Sequence, residues 1–127
     1  MRRSLLQDDA RRLAALNLAA EKAAWGTPLA SGRGRGMAVH HSFGTWVAEV
    51  VEVSTDDQGG FKVERVTVAV DCGVAVNPDV LRAQMEGGVG YALSAALAGE
   101  ITLCQGRGRT EQFRYLPGAA HVPDAGG

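Results

Sequence analysis

VDCGVAVNPDVLRAQMEGGVGYALSAAL, residues 70–97, holds the join that decides the fold, because a valine-rich strand gives out near Val70 and a long helix begins at Pro78. Asn77 suits the cap position, where its side chain accepts from a free amide one turn in. Pro78 suits the first helical position, since the N–H it lacks has no partner there anyway. Within the helix Leu81, Met85, Val89, Leu93 and Leu97 recur at four-residue spacing and form an apolar stripe. Gly87, Gly88 and Gly90 interrupt the rest of it, each at a cost of up to ~1 kcal/mol relative to alanine. Two explanations offer compensation. One is close packing of another backbone, the more ordinary use of a buried glycine. The other is a ligand lying against the helix with Gln84 directed at it.

Upstream, residues 61–70 (FKVERVTVAV) read as a strand whose Val66, Val68 and Val70 share a buried side opposite Arg65 and Thr67. Residues 37–54 read as its partner, with Gly44 as a bulge or close approach and both faces partly covered. The turn between them is Asp56-Asp57-Gln58-Gly59-Gly60, so the pair forms an antiparallel hairpin. His40 and His41 fall on opposite faces of the first strand and are expected to be structural, not a metal pair. The run from Ser31 to Gly36, with Arg33 and Arg35 between glycines, reads as a loop leading into that strand; no Walker pattern or interleaved aromatic favours phosphate or nucleic acid.

Residues 8–24 read as an amphipathic helix with Leu13, Leu16, Ala20 and Ala23 inward and Arg12, Asn17 and Glu21 outward. Trp25 and Gly26 close it, and Pro28 prevents its resumption. Downstream of the long helix, Gly99 is its stop and residues 101–103 a short third strand. The expected architecture is therefore α+β: N-terminal helix, antiparallel β-hairpin, long glycine-marked helix, short third strand and an irregular C-terminal tail. Residues 1–103 form the domain, and residues 104–127 have neither helical nor strand period and read as coil.

At 127 residues the chain has the length of one domain, and its 46% hydrophobic content permits a real core. A formal net charge of −1 provides no field for polyanions, so nucleic acid is not an expected partner. Cys72 and Cys104 match no zinc or CxxC spacing and read as reduced thiols. No apolar run reaches membrane-span length, and the first six residues are followed by Gln7, Asp8 and Asp9 rather than a signal-peptide core. The cytoplasm is thus the default compartment, with the periplasm open to a longer parent protein.

No nucleophile elbow, HExxH or Rossmann glycine pattern is present, so no catalytic residue and no metal ligand is assigned. Asp71 is expected to fix the turn after the strand through the backbone, and Glu86 to be a buried hydrogen-bond partner.

The runs Val70-Asp71-Cys72-Gly73-Val74-Ala75-Val76-Asn77-Pro78 and Arg82-Ala83-Gln84-Met85-Glu86-Gly87-Gly88 resemble the molybdopterin-binding large subunit of the molybdenum hydroxylases, the xanthine dehydrogenase and aldehyde oxidase family. The likeness is greatest to the isoquinoline 1-oxidoreductase β-subunit branch. Residues 18–29, 32–54 and 99–103 resemble the same region in the same order, so the similarity covers roughly residues 10–103. It implies a molybdenum–molybdopterin cofactor, hydroxylation of an N-heterocycle or aldehyde with oxygen from water, and iron–sulfur clusters on a small partner subunit. It also implies that Gln84 lies against the pterin, with Gly87 and Gly88 permitting the close approach.

The Gly-Glu-Pro motif that carries this family's catalytic base is absent, as is its glycine- and phenylalanine-rich segment. The resemblance thus implies an internal piece of a longer subunit, inactive alone, whose partners include the rest of that subunit. Back-translating residues 113–126 with chosen synonymous codons and reading one base on gives SATYPVLRMSQMPD when one more base, C, follows, which is similar to the family's continuation; a frameshift near or after Leu103 is the expectation. The rival reading is a stand-alone α+β interaction module without catalytic activity.

Overall fold

The computed structural model describes residues 8–98, together with the backbone of residues 102–104 and 107–109. Residues 1–76 and 77–127 form two compact units. In the first, helix α1 (Ala10–Lys22) packs on a three-stranded antiparallel sheet of β1 (Arg33–Ser42), β2 (Thr45–Thr55) and β3 (Phe61–Asp71) in that spatial order. The second contains helix α2 (Pro78–Ala98) and a two-stranded ribbon of β4 (Thr102–Cys104) and β5 (Arg107–Arg109). The α+β expectation holds.

Small residues decide how α1 meets the sheet. Ala15, Ala19 and Ala23 of the helix side form one core with Ala48, Val50 and Ala69, and Met37, Val39 and Trp46 pack around it. Alanine on both surfaces lets backbones approach closely, which the expected valine face does not. Val66, Val68 and Val70 accordingly lie half-buried, on the strand face opposite the one carrying buried Ala69. The helix stripe is also rotated from the expected one: Leu16 and Ala20 are buried as anticipated, Leu13 only half so, and Arg12 and Asn17 are half-buried rather than outward.

The single strand expected over residues 37–54 is two. Ser42 pairs with Thr45 across a two-residue hairpin made by Phe43 (φ +49°) and Gly44 (φ +77°). Such loops need positive φ at both central residues, normally Asn-Gly or Asp-Gly. Phenylalanine rarely adopts it, which is why the turn reads as strand. The strand also starts earlier than expected, taking in Arg33 to Gly36.

Those two arginines have internal partners. Glu52, 8% exposed, receives Arg35 Nε at 2.8 Å and Arg33 Nη1 at 3.1 Å, with Arg65 Nη2 at 3.9 Å. Arg35 also donates to Ala24 O and Thr27 Oγ1, tying the loop after α1 to the sheet. The guanidinium of Arg35 holds the Glu52 carboxyl below the usual range, with Arg65 and Arg33 adding to it.

The turn at residues 56–60 forms as read: Asp56 Oδ1 accepts from the amides of Gln58 (2.9 Å) and Gly60 (2.7 Å). A register shift at Glu52/Val53 leaves Glu64 opposite no residue of β2, a bulge that the sequence did not signal. Thr102–Cys104 provides the short strand expected near residue 102, and Arg107–Arg109 pairs with it inside the stretch read as coil. Residues 99–101 and the tail from residue 110, with the remaining expectations about them, lie outside the described residues.

Candidate functional site

Helix α2 starts as its sequence requires. Asn77 Oδ1 accepts from the amides of Asp79 (3.0 Å) and Val80 (3.2 Å), while Asn77 O accepts from Leu81 N (3.1 Å). Asp79 places a negative charge in the first turn, where the helix dipole favours it.

Along α2, Leu81, Met85, Val89 and Leu93 are half-buried, and Leu97 is exposed. Gln84, Gly87 and Gly88 are exposed and fall at i, i+3 and i+4, so they share one face. Among the described residues no atom lies within 4 Å of a Cβ built on Gly87, Gly88 or Gly90. Backbone packing, the favoured explanation for these glycines, is therefore not what compensates them within the described chain. What the face offers is a carboxamide able to donate and accept, beside bare uncharged backbone. Tyr91, seven residues on from Gln84, stands exposed on the same face, which carries that phenol but no carboxylate, histidine or lysine. Glu86 is exposed rather than buried and projects from the other side of the helix.

The loop that leads into α2 is anchored where β3 ends. Asp71 accepts from Arg11 Nε at 2.8 Å (Oδ2) and Nη2 at 2.7 Å (Oδ1), and its Oδ1 also takes the Gly73 amide at 3.1 Å. The expected turn-fixing role of Asp71 is thus present, and Arg11 is the partner that sequence reading missed. Arg11 foremost, and the Gly73 amide after it, hold the Asp71 carboxyl at about 2. That lies below the ordinary ~3.9, so the pair's contribution is whole above that pH and lost as pH falls through about 2.

The cross-strand partner of Asp71 is Trp46, which stacks on His41 with centroids 4.0 Å apart and carries Arg12 at 5.4 Å over its ring. Arg12 Nε is buried with no hydrogen-bond partner among the described residues. His41, exposed, has this stack as its contact with the sheet. The Phe43-Gly44 turn lies at this same end of the sheet, and Phe43, Val74 and Val76 are strongly exposed.

Cys72 is a free, half-buried thiol. Among the described residues no three His, Cys, Asp or Glu side chains gather as a metal site. No helix among them is long and apolar enough to cross a membrane.

Residues 6–123 match a family model described as molybdopterin cofactor-binding domain. The match runs on past Leu103 through most of the stretch read as a coil tail. Isoquinoline 1-oxidoreductase subunit beta of Brevundimonas diminuta is 38% identical over 72 residues, which are 56% of this chain and 9% of that protein. No solved structure matches.

Proposed function

The chain belongs to the molybdopterin cofactor-binding domain family, and from that premise we propose that it is a piece of a molybdenum hydroxylase large subunit supplying one side of the pterin site. The observation that carries this reading is the exposed Gln84, Gly87 and Gly88 face of α2, where no described atom comes within 4 Å of either glycine's Cβ position. A flat, uncharged backbone beside one carboxamide fits the edge of a planar pterin. Gln84 would exchange hydrogen bonds with that edge, and Gly87 and Gly88 would let it approach the helix. The loss of helix propensity at the glycines is then offset by contact with the cofactor.

When bound, the molybdenum cofactor would supply the oxidative chemistry by which an N-heterocycle or aldehyde takes oxygen from water, with electrons leaving for iron–sulfur clusters on a partner subunit. The residues of this chain would bind and orient it. The Gln84 face carries the Tyr91 phenol but no carboxylate, so a carboxylate base would belong to another part of the subunit.

The test is expression of the chain together with the coding sequence that follows it, in a host that makes the cofactor, with pterin fluorescence and molybdenum content as readouts. Gln84→Leu is expected to lower retained pterin about tenfold, the loss of one or two hydrogen bonds to a buried partner. Retention equal to wild type sinks the assignment. A following reading frame that encodes Gly-Glu-Pro supports the longer parent. The reading-frame shift after Leu103 is tested by the same nucleotide sequence; if the shifted frame does not encode SATYPVLRMSQMPD, that idea is removed.

A second reading, a stand-alone interaction module, is favoured by the separate core of residues 1–76 and by the edge strands β1 and β3 of its sheet. A monomeric, cooperatively folded chain without cofactor supports it; aggregation counts against it.

A further inference from the structure

Helix α1 covers one face of the three-stranded sheet, and of the described elements it alone packs there in extended contact. The other face is not the polar surface that an antiparallel sheet usually turns to water. Cross-strand pairing sets Val47 beside Val70 and Val51 beside Val66, all half-buried, and β1 adds Ala38 and His40, both exposed. A contiguous apolar surface of this kind marks a place of contact.

Glu49 stands in the middle of it. It lies on the central strand, paired with Ala38 on one side and Val68 on the other, and Val47 and Val51 are its same-face neighbours along β2. Its side chain is half-buried and, among the described residues, has no hydrogen bond or ion pair. Every other carboxylate of the three strands is partnered: Glu52 by Arg33 and Arg35, Glu64 by Ser54 and Lys62, Asp71 by Arg11. His40, diagonal to Glu49 on the same face, makes no ion pair with it.

Any partner that covers these valines also covers Glu49, and a carboxylate withdrawn from water needs a counter-charge. A second copy set face to face would bring Glu49 against Glu49, a like-charge contact that opposes association. Width narrows the choice further. Three strands span roughly 10 Å between their outer axes, about the diameter of one helix, and α1 covers the opposite face as a single helix. We propose that the valine face of the sheet is a docking surface for one amphipathic helix of a protein partner, with a lysine or arginine in the middle of its apolar stripe that pairs with Glu49. The surface lies wholly within residues 1–76, so it depends neither on α2 nor on the cofactor reading.

The experiment uses the full 127-residue chain and two fluorescein-labelled synthetic helical peptides of about 18 residues, roughly 27 Å long. The peptides share a leucine and alanine stripe and differ only at its central position, arginine in one and glutamate in the other. Fluorescence anisotropy should show the arginine peptide binding about tenfold more tightly or better, and Glu49→Gln should bring the two affinities within about threefold of each other. Methyl NMR shifts during the titration should concentrate at Ala38, Val51 and Val68, with Ala48 and Ala69 under α1 little changed. These shifts are read on the wild-type chain, so they decide the surface even where Glu49→Gln disturbs folding.

Equal affinities of the wild-type chain for the two peptides overturn the pairing with Glu49, and so does an undiminished preference in a folded Glu49→Gln chain. Shifts centred on the α1 side overturn the surface, as does an arginine peptide that fails to bind at about 1 mM. A concentration-dependent dimer of the wild-type chain with shifts at the same valines would give the face to a second copy and overturn the helix.

Discussion

Helices α1 and α2 are both capped by an acceptor side chain, Asp9 for one and Asn77 for the other, but they differ in what their faces meet. Helix α1 buries Ala15, Leu16, Ala19 and Ala20. Helix α2 is longer, more apolar on average, and buries none of its residues. Local signals form a helix in either case. Burial of a stripe requires a complementary surface, and among the described residues α1 has one of matched small residues while α2 does not. Most helical stability in proteins comes from such packing rather than from propensity. The contrast thus separates a helix packed on a sheet from one that buries no residue against the described chain.

The largest effect should come from making the same change in both regions. Ala48 is fully buried in the core under α1, and Ala95 is exposed on α2. Ala48→Leu forces a larger side chain between helix and sheet and is expected to cost about 3 kcal/mol, lowering the melting temperature by roughly 10 °C or more. Ala95→Leu should stay within about 0.5 kcal/mol of wild type. Thermal unfolding followed by circular dichroism checks both. Similar losses at the two sites would break the contrast, because α2 would then be packed as α1 is.

Legibility in the sequence follows the same division. The Asn77-Pro78 start, the Asp56 turn and the existence of α1 are signalled within a few residues, and each forms. The hairpin at Phe43 is not signalled, because a positive φ on phenylalanine breaks the rule by which such turns are found. The face that α1 covers was obscured by valines, which look more like a core than Ala48 and Ala69 do, although alanines allow the closer approach. Arg11 and Asp71 are far apart in the chain, and nothing at either position announces the other. The glycines of α2 are visible as an anomaly, but the proposed use for them comes from family resemblance, since an exposed bare face has no period or motif of its own.

A middle-sized effect exchanges those glycines. Gly87→Ala and Gly88→Ala, at positions where an added Cβ meets no described atom, should each stabilise α2 by up to ~1 kcal/mol in the isolated chain. Helical ellipticity should rise. In the cofactor-loaded parent the same pair should lose pterin, because the methyl groups occupy the space that the ligand would use. Gain in one state and loss in the other is the signature of glycine retained for a ligand. A gain with unaltered pterin content would leave the glycines without that purpose.

The smallest effect is the reverse exchange at the end of α1. Ala24 has φ +50° just past the helix, where its amide donates to Glu21 O at 3.0 Å and the Trp25 amide donates to Ala20 O at 2.8 Å. These two bonds make a Schellman closure, whose left-handed residue is usually glycine. An alanine there bears the steric cost of its Cβ, while the Gly26 that the sequence offers as the stop lies two residues too late to relieve it. Ala24→Gly should therefore stabilise residues 10–71 by about 0.5–1 kcal/mol, the gain from removing that strain less the entropy glycine adds to the unfolded chain. A glycine substitution would then strengthen the packed region just as alanine substitutions strengthen the unpacked one. The urea midpoint measures it, and a loss instead of a gain would show that Ala24 contributes contacts that outweigh its strained backbone.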